Sequence, residues 1–160
     1  MDFKDQALQQ SAHRYFSASC FNQTWGFLDQ DKPDISAMLA CAYSSLHHWL
    51  NREDVSPEKL VTSHWLLARA YEKGGFASGC QLHAELCYEL CQQNEFKGLD
   101  LISAYEVLAR SAALTQQLEQ AVEYQSLALA LLESLRAEIG EEEYGYCKTD
   151  LTSINLSLCA

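Results

Sequence analysis

The sequence predicts an all-α chain of antiparallel helical hairpins stacked in a row, and three observations carry that reading. Ala, Leu, Glu and Gln dominate and all favour helix, while two prolines and seven glycines leave little turn chemistry for a many-stranded β fold. Apolar residues recur along most of the chain at the three- and four-residue spacing of a helix face. Two stretches also repeat one template forty-one residues apart. Leu67-Ala68-Arg69 answers to Leu108-Ala109-Arg110, and the seven-spaced small residues Cys80 and Cys87 answer to Ala121 and Ala128. Helix pairs recurring at one interval belong to stacked arrays, which bury each pair against the next and offer a concave surface to a partner.

Each element has its own signals. The first helix is expected from about Lys4 to Leu28, with a break near Cys20-Phe21-Asn22; its apolar residues include Leu8, Ala12, Tyr15, Phe16, Trp25 and Leu28. The segment Asp29 to Asp34 contains Pro33, which removes a backbone donor and disfavours helix before it, so a loop is expected there. Asp34 can cap a second helix from Ile35 to about Asn51, with Ile35, Leu39, Ala42, Tyr43, Leu46 and Leu50 on one face. Ser56-Pro57-Glu58 is a start signal, and the third helix it opens carries Leu60, Val61, His64, Leu67, Ala68 and Tyr71 before Gly74-Gly75 stops it. A fourth helix spans about Phe76 to Gln93, and a fifth about Gly98 to Leu114, with Leu101, Ala104, Tyr105, Leu108, Ala109 and Ala112 inward. The sixth runs from about Leu118 to Ile139 and ends at Gly140; a capping segment from Glu141 to about Leu158 completes about seven helices. Connections of a few residues make neighbours antiparallel. Residues 1–160 thus read as a single domain of three hairpins plus a C-terminal cap.

Composition limits the function classes. The chain has 22 acidic against 11 basic residues, a formal charge of −11, which opposes the phosphate contacts of nucleic-acid binding and adsorption to anionic lipid. Seven cysteines make an odd number, unlike a secreted disulfide framework, and no apolar run approaches a membrane span. The expectation is a cytoplasmic protein with reduced thiols.

The segment Leu118 to Leu129 resembles the second helix of a tetratricopeptide repeat, with small residues at Ala121 and Ala128 and a large one before the first. Leu108, Ala109 and Ala112 match first-helix positions of that family; Leu67, Ala68 and Tyr71, then Cys80, Ala84 and Cys87, match in the unit before. One more step reaches Leu39, Tyr43 and Leu46, so three second helices share a register over roughly residues 35 to 138. The interval is longer than the family's usual unit, and its helix-breaking proline is missing. The resemblance implies a short right-handed superhelix that binds a protein or peptide on the concave face lined by first helices. That face would show Thr62, Trp65, Arg69 and Glu72 from one unit and Ser103, Glu106 and Arg110 from the next. Trp65 and Arg69 flank the apolar stripe, about 100° to 140° round the helix from His64. A tryptophan beside arginines is hot-spot composition, and arginine forks suit carboxylates.

Other clusters read differently. Cys80, His83, Cys87 and Cys91 share one helix face, where four ligands could not surround a tetrahedral ion, so they read as core and no metal or cofactor is expected. His47-His48 end the second helix and complement its dipole, and His64 is the repeat equivalent of Tyr105, a packing position. Glu138, Glu141, Glu142 and Glu143 read as a solvated helix end. No glycine-rich phosphate loop, HExxH or GxSxG occurs, so a binding module is favoured over an enzyme. The rivals are a small-molecule or catalytic pocket using His47, His64 and acidic neighbours, and self-association as a homodimer through apolar edges of the array.

Overall fold

The structure, a computed structural model, describes residues 5–157, so Lys4 and Leu158, the outer ends expected for the first helix and the cap, lie outside the described residues. Six helices and no strand are found among them: α1 Gln6–Leu28, α2 Ile35–Leu50, α3 Pro57–Lys73, α4 Ala77–Gln93, α5 Leu99–Leu114 and α6 Leu118–Thr152. Local chemistry sets the starts of the first three. Asp5 accepts from Ala7 N and Leu8 N, Asp34 accepts from Ala37 N, and Pro57 opens α3 after Ser56.

One expectation needs correction. α1 is unbroken through Cys20-Phe21-Asn22; Thr24 Oγ1 donates to Cys20 O at 2.9 Å and the helix runs on to Leu28. Leu118–Thr152 joins two helical arms across one non-helical residue, Gly140, where the sixth helix was expected to end. Gly140 has φ +83° and ψ 166°, a region essentially closed to side chains, and the chain reverses there. A straight helix would hold Gln125 and Leu151 about 39 Å apart. Instead Gln125 Nε2 donates to Leu151 O at 2.8 Å, and the Tyr144 hydroxyl donates to Glu133 at 2.7 Å. The arm 141–152 therefore lies back along 118–139. Of the acidic cluster, Glu141 pairs with Arg136 at 2.8 Å, and Glu138, Glu142 and Glu143 are exposed.

Packing is lopsided in a way that shapes the surface. Every helix packs on the next, and α1 meets α3 as α3 meets α5. By contrast, no Cα of α2 comes within 8 Å of α4, nor any of α4 within 8 Å of α6. The core follows this arrangement. Met38, Ala42, Leu46, Leu66, Leu67 and Ala70 close the α2–α3 seam, while Val61, Ala68, Cys80, Ala84, Cys87, Ala104 and Val107 join α3, α4 and α5. Ile102, Ala109, Ala128, Leu132, Tyr144 and Leu151 join α5 to both arms of α6. The seven-spaced small residues Cys80, Cys87, Ala121 and Ala128 are all fully buried, where a larger side chain would hold the helices apart. α5 is enclosed on nearly every side, with Ala104 and each residue from Glu106 to Ala112 buried.

A Cβ at Gly140 or Gly145 would meet open space, so only backbone conformation separates the two sites. Gly140→Ala is expected to destabilise by about 1–3 kcal/mol through strain at positive φ. Gly145→Ala, within regular helix, is expected to stabilise by up to about 1 kcal/mol. Urea denaturation of the two variants beside the wild type checks the contrast.

Candidate functional site

The residues expected on the concave face converge, but on one another. Glu106, 4% exposed, is the centre. Its Oε2 accepts from Trp65 Nε1 at 2.9 Å; its Oε1 accepts from Arg69 Nη1 at 2.7 Å and Arg110 Nε at 2.8 Å. Trp65 and Glu106 are forty-one residues apart, so equivalent positions of successive units bond directly. Arg110, 5% exposed, reaches further: Nη1 donates to Glu72 at 3.0 Å, and Nη2 to Asp150 O and Ser153 Oγ, both at 2.8 Å. Arg69 also lies 3.5 Å from Asp150 Oδ1 and stacks over the rings of Trp25 and Trp65. Glu106 and Glu72 hold the Arg110 guanidinium above its ordinary range against the opposing effect of burial.

This corrects the expectation of an open, arginine-bearing groove. Five of the seven expected residues form a largely buried ion network, and both guanidiniums are engaged by acids of the chain itself. The other two, Thr62 and Ser103, are half-buried, and Thr62 Oγ1 donates to Glu58 O at 3.0 Å. The cause is the returning arm of α6, whose Asp150 and Ser153 cover Arg110. Trp25, Asp150 and Ser153 were not anticipated. The repeat interval carries a partial signal for them, since Trp25 lies about one unit before Trp65 and Asp150 about one unit after Arg110.

A second cluster joins α2, α3 and α4. The Tyr71 and Tyr43 hydroxyls are 2.9 Å apart, Tyr43 Oη is 3.0 Å from His83 Nε2, and His83 Nδ1 is 3.0 Å from His64 Nδ1. The His83 ring stacks on both Tyr71 and His64. Gly79 makes room for this, because a Cβ there would overlap the Tyr71 ring. Burial, then the adjacent His64, push the His83 imidazole down to about 4, and burial lowers His64 too. Burial and the Tyr71 contact push the Tyr43 phenol up to about 12. Both imidazoles are therefore neutral at pH 7. The interval also marks this pair: His64 and His83 stand one unit before Tyr105 and Tyr124, whose rings stack at the same 23° angle.

The pocket expected to combine His47, His64 and acidic neighbours does not form in that way. His47 is exposed and lies with His13 and His48, where His13 Nδ1 meets His48 Nδ1 at 2.9 Å. His64 faces a second imidazole and not a carboxylate. Cys80, His83, Cys87 and Cys91 are all buried; burial pushes the Cys80 and Cys91 thiols up to about 12, and Cys87 Sγ donates to Val61 O at 3.6 Å.

The gap between α2 and α4 leaves a cavity of about 210 Å³ over α3. Three pairs of residues four apart line it, namely Leu46 and Leu50, Leu60 and His64, and Leu86 and Leu90, with Glu89 and Gln93 beside them. Leu50 is 57% exposed, large for an apolar side chain at a groove. His64 Nε2 has no hydrogen-bond partner among the described residues. No helix among those residues is long and apolar enough to cross a membrane. No protein-family model matches the chain, and neither does any curated protein or solved structure.

Two outcomes are expected. Glu106→Gln keeps the shape but leaves the buried Arg110 and half-buried Arg69 guanidiniums facing a neutral amide; the loss should be about 3 kcal/mol by chemical denaturation. For His83, the folded pKa lies below the ordinary 6.5, so the unfolded chain takes up its proton first as the medium acidifies. The contribution of His83 is complete above pH 6.5 and is lost as pH falls towards 4. The drop in thermal midpoint between pH 7 and pH 4.5 should be smaller in His83→Gln than in wild type.

Proposed function

We propose that this chain is a protein-binding module, a short tetratricopeptide-like right-handed stack of hairpins that receives a partner helix in the groove between α2 and α4. The observation that supports this reading is the convergence of three residue pairs spaced four apart on one partly open apolar cavity. Pairs at that spacing lie one above the other on a helix face, so each wall presents a ridge along which another helix can seat its own i and i+4 side chains. The ion network around Glu106 takes a different part in this reading. It ties α3, the floor of the groove, to α5 and the returning arm, so the floor is held in place before the partner arrives, which lowers the entropic cost of binding.

A second reading, a small-molecule site in the same cavity, is favoured by the uncommitted Nε2 of His64 among leucines, with Glu89 and Gln93 as further polar groups in a mostly apolar lining. The two readings separate by experiment. Recovery of partner from the native host is expected to fall roughly tenfold or more with Leu50→Glu or Leu86→Glu, the scale of a hot-spot loss. Circular dichroism checks that each variant remains folded. Undiminished recovery overturns the groove. A thermal-shift screen in which small molecules stabilise wild type but not His64→Ala would favour the second reading.

A further inference from the structure

We infer that the occupant of the α2–α4 groove is a basic amphipathic helix, with an apolar i, i+4 pair among the leucines and a lysine or arginine reaching Glu89. The inference rests on the groove reading and adds the chemistry of the partner. Glu89 lies between Leu86 and Leu90 on the α4 stripe, so a helix seated on those leucines passes directly beside its carboxylate. It is the one formally charged side chain in the groove lining, and it is exposed, with no ion pair or hydrogen bond among the described residues.

Glu89 also borders the next cavity along the stack, about 350 Å³ between α4, α5 and α6, where Glu85 joins it and no lysine or arginine contributes to the lining. Glu89 thus faces both cavities, and neither lining contains a lysine or arginine. His64 on the groove floor, lowered by burial, adds no positive charge at neutral pH. The net charge of −11 extends the same preference to long range and favours encounter with a cationic partner. A helix suits the site better than an extended strand, because three helical walls offer i, i+4 ridges while no sheet edge exists among the described residues.

The test titrates the full chain, at physiological salt, with labelled amphipathic peptides of about four helical turns. All share one leucine face at i, i+4 spacing and differ only in polar-face residues, which are lysine, glutamine or glutamate. Fluorescence anisotropy is expected to show the lysine peptide binding at least tenfold more tightly than the glutamine one and the glutamate peptide weakest. Glu89→Gln should cost the lysine peptide about tenfold and leave the glutamine peptide unchanged, while Leu86→Glu should abolish apolar-face binding of both. Equal binding of lysine and glutamine peptides, or an unaltered lysine peptide on Glu89→Gln, overturns the inference and leaves the groove reading standing. Lysine-peptide binding indifferent to Leu86→Glu, or no binding by any of the three, overturns both.

Discussion

A buried carboxylate with three donors around it is the constraint to which the rest of this structure conforms. Glu106 lies on the most enclosed helix, where an isolated charge would be expensive to desolvate. It is tolerated because Trp65, Arg69 and Arg110 all donate to it, and Arg110 in turn is satisfied by Glu72, Asp150 O and Ser153. No buried side-chain nitrogen or oxygen among the described residues is left without a partner. The network cannot be assembled pairwise. It requires α3, α5 and the returning arm of α6 together, so it specifies one arrangement of helices whose apolar seams alone would admit several.

That arrangement leaves the two sides of the stack unlike each other. On the side of α1, α3 and α5, consecutive odd-numbered helices touch and their polar groups are consumed. On the other side, α2, α4 and α6 stand apart, linked through ring contacts such as Tyr43 to His83. Gaps between helices there become grooves floored by α3 and α5. The free surface of the molecule is consequently on the second helices, opposite to where the polar composition of the first helices points.

The forty-one-residue interval proves informative at the level of individual contacts. Trp65 meets Glu106 across it, and the His64–His83 stack is answered by the Tyr105–Tyr124 stack one unit on. Equivalent sites thus differ in chemistry while keeping the same stacking angle, with ring centroids 5.2 Å apart in one pair and 6.4 Å in the other. His64 of one pair floors an apolar cavity, whereas Tyr124 of the other lines, with Tyr88, a more polar one. A packing position can carry a polar group without ceasing to pack, which is why the equivalence of His64 with Tyr105 did not decide what His64 does.

Helix boundaries were legible in the sequence because they are local. Asp34 caps its own helix, Pro57 fits only a first turn, and Gly140 marks a stop wherever the chain goes next. The seven-spaced Cys80 and Cys87, and Ala121 and Ala128, were likewise legible as close-packing positions, since small residues at that spacing share one face. What the sequence could not supply was the identity of the group opposite each face. Periodicity gives Arg69 and Arg110 a common direction, and composition makes them look like ligands for a partner. Only the reversal at Gly140 brings Asp150 and Ser153 over them, and a single pair of backbone angles fixes the direction of a whole arm. The all-α class, the helix register and the repeat follow from sequence by itself, through backbone and side-chain preferences acting over a few residues. Burial of the ion network, the histidine pair and the groove on the second helices were decided by tertiary structure, because each depends on contacts between residues nineteen or more apart in the chain, up to eighty-one for Arg69 and Asp150.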